Sequence, residues 1–556
     1  MDYDVSVIGS GPGGLAAALA LAQAGQKVLV CEQHEVPGGW THSFTLQGYR
    51  FSPGVHYLGG LQPGGDLRRV YEGLGVSQDL EFCELNPEGY DHIVVGEERF
   101  DFPKGQARLI DRLSRRFPGE AEGLRRYFKT VTELMGGLRH LGRVRGLGDL
   151  PRAAAETGLV LNWARRTGQD LIDSCVSDPV LRGVLAGQSG DHGLPPSQVS
   201  AFFHAGVVDH YLEGGYYPRG GGFALPRAFV RAFKQAGGEL RLNTPVAQIL
   251  VEGKRVLGVR LADPRSPGAG GVEVRARHVI SNADPEMTFG RLIGREHLSG
   301  RLRQKVDRAR YSTSALSLFF AVDMDLRAAG LDSGNYWFYE HADVDVIYRQ
   351  GLTDFALQAE APPGMFLTVT TLKDPSKRHH GHHTCEAFVF VGYDAFEKWA
   401  AEASGQHSAG YEALKEDLSW RLFRALDKRV PGLSRRVVFW SLGTPLTNVH
   451  YLQAHRGNLY GTAKSPDQAG PLGFSTRTEF EGLLLVGAST LSHGVSGATH
   501  TGLAAAKTIL QCHTADLLRQ AGPPLRLYPA EDVSQWPAHL QARIARGARA
   551  DGGEDA

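Results

Sequence analysis

Val5, Val7 and Ile8 form a short apolar run that predicts a buried strand over Asp4 to Ile8. A glycine-rich turn, Gly9-Ser10-Gly11-Pro12-Gly13-Gly14, separates it from Leu15 to Ala24, an Ala/Leu-rich stretch that predicts a helix ended by Gly25. Lys27 to Cys31 is a second apolar run, so the chain opens as strand, turn, helix and strand. Two later stretches carry comparable patterns. Gly237 to Val246 reads as a helix-to-strand connection with a β-hairpin beyond it, whose tip is expected at Asp263 to Gly271. Gly482 to Thr490 reads as strand and turn, followed by an Ala-rich helix from Gly502 to Leu510. Between these stretches, residues 76–214 read as largely helical. Residues 291–444 mix strands, such as Ser314 to Val322 and Ala387 to Val391, with helices such as Tyr411 to Leu426. The polar tail from Ala542 to Ala556 is expected to be disordered.

The first unit carries chemistry. Gly9, Gly11 and Gly14 are the glycines of a G-x-G-x-x-G turn placed between a strand and a helix. Gly9 permits the tight turn, Gly11 lets backbone approach a pyrophosphate, and Gly14 lets the helix pack on the strand, with the helix N-terminus aimed at the anion. Glu32 closes the second strand, where a carboxylate accepts both hydroxyls of an adenosine ribose, a charge-assisted interaction worth roughly 1.5 to 3 kcal/mol. The same carboxylate repels a 2′-phosphate. A dinucleotide site follows.

Composition narrows the field. The chain has 556 residues, 42% apolar and 22% charged, with Lys plus Arg and Asp plus Glu both at 60. Such a length calls for more than one domain, and the balanced charge argues against a nucleic-acid partner. Five scattered cysteines without paired spacing suggest neither disulfides nor zinc, so a cytoplasmic setting is expected. His379, His380, His382 and His383 beside Cys385 read as a polar loop without ligand spacing, and no metal is expected. The run from Val5 to Ala22 is broken by glycines well short of the ~20 residues a membrane span needs. Arg139, Arg143, Arg145, Arg152, Arg165 and Arg166 read as an ordinary solvated face, because Gly142, Gly146, Gly148 and Pro151 interrupt the helical spacing. Docking on anionic lipid is the alternative.

The residues after Glu32 resemble a known family. Gly38-Gly39, His42-Ser43-Phe44 and Gly54-Val55-His56-Tyr57, with Tyr217-Pro218-Arg219-Gly220-Gly221, Thr444-Pro445-Leu446-Thr447-Asn448 and Gly457-Asn458-Leu459-Tyr460-Gly461, resemble the flavin amine oxidase and carotene desaturase superfamily. Within it they are most similar to the retinol saturase and carotenoid isomerase branch. The resemblance implies an α/β fold: a discontinuous Rossmann-type FAD-binding domain from residues 1–75, 215–290 and 445–515, and a second, α+β substrate domain built from the insertions 76–214 and 291–444. Residues 516–556 would form a partly disordered extension.

The resemblance also implies FAD as cofactor, held by Gly9, Ser10, Gly11, Gly13, Gly14, Glu32, Gly38, Gly39, Val246, Gly487, Val495 and Gly497, with His56 and Tyr57 beside the flavin's reactive edge. Two departures stand out: Trp40 replaces the arginine usual after the glycine pair, and Ala488 replaces a flavin-binding Asp. The implied activity is desaturation, saturation or cis-trans isomerisation of an apolar polyene or lipid-like substrate. With a single dinucleotide fingerprint, the electron donor or acceptor must be external: a quinone, oxygen or a carrier. Peripheral membrane contact remains open. A flavin amine or amino-acid oxidase and a non-catalytic flavin-binding protein are the alternatives.

Overall fold

The computed structural model describes residues 1–141, 150–262, 271–356 and 358–549. Residues 263–270 of the expected hairpin tip, Asp263 to Gly271, and the centre of the arginine-rich segment (142–149), with Arg143 and Arg145, lie outside the described residues.

Strands from three distant stretches form one sheet. Tyr3–Ile8 lies parallel between Val28–Cys31 and Glu273–Ser281, with Glu239–Arg241 parallel beyond one neighbour and Leu483–Leu485 parallel beyond the other. Val246–Glu252, Arg255–Leu261 and Glu273–Ser281 run as an antiparallel meander on one side. The expected α/β class is borne out. Helix Pro12–Gln23 is buried at every position from Gly13 to Ala22, because it sits between the sheet and helices Gly494–Leu510 and Ala224–Gln235. Close helix contact requires small residues there. A Cβ at Gly502 would lie 2.2 Å from the Gly13 carbonyl oxygen.

The second sheet combines both insertions, in the order Val437–Gly443, Ser314–Val322, His383–Val391, Gly364–Val369, Asn335–Tyr339, Asp91–Val95 and Glu98–Phe102. Every neighbour is antiparallel except Asn335–Tyr339 with Asp91–Val95. Alternation sorts its side chains: Trp337 and Tyr339 join the core under helices of the first insertion, while Tyr336 and Phe338 join the core under helix Ala409–Arg429.

Three sequence expectations change. The first insertion also supplies strands Glu81–Glu84, Asp91–Val95 and Glu98–Phe102, runs too short for periodicity to separate from loop. His383 and Cys385 lie on strand His383–Val391, the preceding histidines forming a tight turn closed by the His379/His382 bridge. The C-terminal extension is ordered through Arg549: Arg526–Pro529 pairs in parallel with Glu81–Glu84, Trp536 Nε1 donates to the Pro529 carbonyl at 2.7 Å, and Ala538–Arg549 is helical. Burial of Tyr528, Trp536 and Leu540 explains this order, which the polar composition beyond Ala542 conceals. Residues 550–556 lie outside the described residues. Among the described residues no helix is long and apolar enough to cross a membrane.

Candidate functional site

A deep cleft runs along the carboxyl ends of the parallel strands, where open α/β sheets bind ligands. Of the residues expected to hold the cofactor, Gly9, Gly11, Glu32, Gly39, Val246, Gly487 and Val495 line it. Ser10, Gly13, Gly14, Gly38 and Gly497 do not line it, and they act instead as its support.

Ser10 is the hub of that support. Fully buried, its hydroxyl donates to Glu32 Oε2 at 2.5 Å and accepts the Gly38 N–H at 3.1 Å, while its own N–H donates to Glu32 Oε2 at 2.8 Å. The first turn, the Glu32 carboxylate and the downstream glycine pair are thereby one unit. Gly38 has φ +123°, which a side chain would strain, and a Cβ on Gly39 would sit 3.4 Å from Gly11 Cα. Gly14 serves packing, since a Cβ there would lie 2.1 Å from the Gly9 carbonyl oxygen. A Cβ on Gly13 would meet Asn282 Oδ1 at 2.8 Å.

Two helix N-termini face this end. Pro12–Gln23 begins at Gly11, and the 17-residue helix Gly494–Leu510 begins with Gly494, Val495 and Ala498 in the cleft wall. Neither has a capping side chain or an acid in its first turn, so their N–H groups are left for an anion. Gly497 packs against Ser492 beneath that helix start.

Asn282 and Asp284 were not anticipated. They follow strand Glu273–Ser281 at the carboxyl edge of the sheet, and both line the cleft. Asn282 Oδ1 is buried with no hydrogen-bond partner. Asp284 accepts from the His455 N–H (3.2 Å), Asn458 Nδ2 (3.1 Å) and Ser489 Oγ (3.1 Å), yet burial holds its carboxyl above the ordinary range. The available signal was a polar pair directly after an apolar strand neighbouring the first one. Trp40 and Ala488, the two family departures, also line the cleft.

The other end of the cleft is apolar. His56, Phe388, Ala315, Leu459 and Tyr460 line it, and the His56 ring packs against Phe366 and Phe388 at centroid distances of 5.2 and 5.7 Å. Tyr57 is placed elsewhere. It is outside the cleft wall, stacked on Tyr211 at 4.1 Å, with its hydroxyl 2.6 Å from Asp191 Oδ2 and 3.0 Å from Asp91 Oδ2.

Behind His56 lies a buried charge network that the sequence did not reveal. Lys373, 0% exposed, donates to the His56 carbonyl (2.7 Å) and to Asn335 Oδ1 (2.5 Å). Burial pushes its ammonium down to about 7, against the pull of Glu386, Asp91 and Asp191. Asp91 accepts from Gln188 Nε2 (2.7 Å) and Asn335 Nδ2 (3.1 Å), and burial pushes it up to about 6. Asp191 is held well above the carboxylate range by burial and by Asp91. The Tyr57 hydroxyl has one proton to share between the two carboxyls.

Comparison with known proteins agrees with this geometry. Residues 12–510 match the family model described as flavin containing amine oxidoreductase. The chain is 30% identical over 531 residues to the all-trans-retinol 13,14-reductase of Danio rerio, covering 92% of this chain and 86% of that one. It is 26% identical over 546 residues to the chloroplastic prolycopene isomerase of Daucus carota, covering 94% and 82%. Among solved structures, an oxidoreductase from Methanosarcina mazei superposes with a TM-score of 0.59 at 18% identity, over 91% of this chain and 99% of that one, a likeness of fold.

Proposed function

The chain belongs to the flavin containing amine oxidoreductase family, and from that premise we propose that it is an FAD-dependent oxidoreductase acting on a long apolar isoprenoid polyene, retinoid or carotenoid in kind. The reaction is desaturation, saturation or cis-trans isomerisation. The observation that carries this reading is the contrast within one cleft: glycine backbone, a ribose-type carboxylate and helix N-termini at one end, and His56 among Phe388, Ala315, Leu459 and Tyr460 at the other. Relatives named for a retinol reductase and a prolycopene isomerase support the substrate class.

The residues present fit FAD. Gly11 and Gly39 leave room for a pyrophosphate, Glu32 suits a ribose, Val246 in the cleft wall would face the adenine, and the unpartnered Asn282 Oδ1 offers an acceptor. When bound, FAD supplies hydride chemistry. The chain's own part is to hold the polyene by burial, at about 0.8 kcal/mol per CH₂, to exclude water with Phe388 and Leu459, and to hold or move a proton at His56 Nε2. We read the parallel sheet with its helices (1–75, 215–290, 445–515) as the cofactor domain and the second sheet with its helices as the substrate domain. The redox partner is external: a quinone, oxygen or a small carrier. Such a substrate resides in lipid, so peripheral membrane contact belongs to the proposal.

An amino-acid oxidase needs a cation for the substrate carboxylate. Among the described residues lining the cleft there is no Arg or Lys, which weighs against that alternative. The test incubates FAD-reconstituted protein anaerobically, with flavin either reduced or oxidised, with retinol, phytoene or lycopene isomers. A polyene product of altered double-bond number or geometry is expected. Peroxide release from amines with no polyene turnover would overturn the reading, as would protein that stays colourless after reconstitution.

A further inference from the structure

Glu386 occupies an improbable place for a carboxylate. It sits within the apolar strand His383–Val391, 2% exposed, two residues before Phe388 and on the same face, so that both side chains point toward His56. A charge buried there persists only with partners. Glu386 has two direct ones, one per oxygen: Oε1 accepts the Ser52 N–H at 2.7 Å, and Oε2 lies 3.0 Å from His56 Nδ1. Lys373, which pins the His56 carbonyl, supplies the nearby positive charge. Among the described residues His56 Nε2 has no hydrogen-bond partner, while its ring lines the cleft.

We propose that Glu386 is the positioning residue for His56, fixing the imidazole with its proton on Nδ1 so that Nε2 is the atom exchanging protons in the cleft. The proposal rests on the polyene reading for its chemistry. A carboxylate facing Nδ1 selects the tautomer and steadies the imidazolium. In the reducing direction a C=C bond gains a hydride from reduced flavin, itself recharged by an external two-electron donor. It also gains a proton, which leaves Nε2 of the His56 imidazolium as the second C–H bond forms, returning the ring to the neutral Nδ1–H tautomer that water then reprotonates. In the oxidising direction that C–H bond breaks and Nε2 takes the proton.

The substitution Glu386→Gln separates positioning from mere packing. Glutamine has one acceptor oxygen for two donors. The buried Ser52 N–H claims it, the NH₂ group then faces Nδ1, and the imidazole proton moves to Nε2. With FAD-loaded protein containing ¹⁵N-labelled histidine, the His56 signal is assigned by its loss in His56→Asn. We expect a protonated Nδ1 in the native protein and an unprotonated Nδ1 in Glu386→Gln. Flavin content and KM should be unchanged, kcat should fall about 100-fold, and the double variant should be no worse than His56→Asn. An unprotonated Nδ1 in the native protein overturns the proposal, and this measurement stands even if the variant does not fold. An inverted tautomer with unchanged kcat also overturns it. Failure of the polyene reading shows separately, as native protein that turns over no polyene while the tautomer remains measurable.

Discussion

The two ends of the cleft are built from different materials. The cofactor end is mostly backbone: glycines and helix N-termini, with the Glu32 carboxylate held by Ser10. The His56 end is side chain: His56, Asp91, Asp191, Asn335, Lys373 and Glu386, drawn from distant segments into one buried network. Backbone surfaces fail when an atom is added. Side-chain networks fail when a charge or proton is changed, and the two ends should therefore break under different insults.

The largest expected effect is steric and confined to the cofactor end. Gly14→Val places a Cβ 2.1 Å from the Gly9 carbonyl oxygen, backbone that cannot yield. No flavin-loaded folded protein should be recovered, as read by flavin absorbance and thermal unfolding; normal flavin content would break the contrast.

Acid should strike through buried neutral histidines, two of which are the test in the other half. In the substrate half, His204 accepts the Tyr127 hydroxyl at 2.7 Å and His383 Nε2 accepts from Arg378 at 2.8 Å. Burial pushes His204 down to about 4, and burial with the Arg378 charge pushes His383 down to about 3, from 6.5. Both folded values are depressed, so folding favours the neutral rings. The stability they contribute is fully present above pH 6.5 and is lost as pH falls through 4 and then 3, by up to about 1.4 kcal/mol per pH unit for each. Urea midpoints from pH 7 to 4 should decline, and the double variant His204→Gln, His383→Gln should flatten the decline. An unchanged slope would sink this assignment.

The smallest effect tests the Glu32 charge at the cofactor end. Glu32→Gln keeps the shape but loses a charge-assisted contact, so FAD affinity should weaken about tenfold while the unfolding midpoint of the apoprotein barely moves. Titration of apoprotein with FAD checks it. A larger loss of apoprotein stability than of affinity would show that Glu32 serves mainly to organise Ser10.

The legible parts share a physical basis. Gly9, Gly11, Gly14 and Glu32 are readable because local sterics and a strand-turn-helix order fix what neighbouring residues must do. Gly38-Gly39 needed the family resemblance, since only Ser10 brings them over the first turn. Tyr57 shows the limit: adjacent to His56, it was expected to share its site, yet its hydroxyl serves Asp91 and Asp191 instead. The C-terminal strand Arg526–Pro529 was missed because it gains order only by pairing with Glu81–Glu84.

The sequence alone determined the dinucleotide turn, because it follows from short-range periodicity and from glycines whose neighbours in sequence are also their neighbours in space, and the family resemblance added the α/β class and the flavin. Only the tertiary structure decided that His56 meets Glu386 across 330 positions and that Lys373 lies fully buried beneath it. Strand register sets those meetings, and register is fixed by the packing of both sheet faces together, a property no single stretch of chain contains.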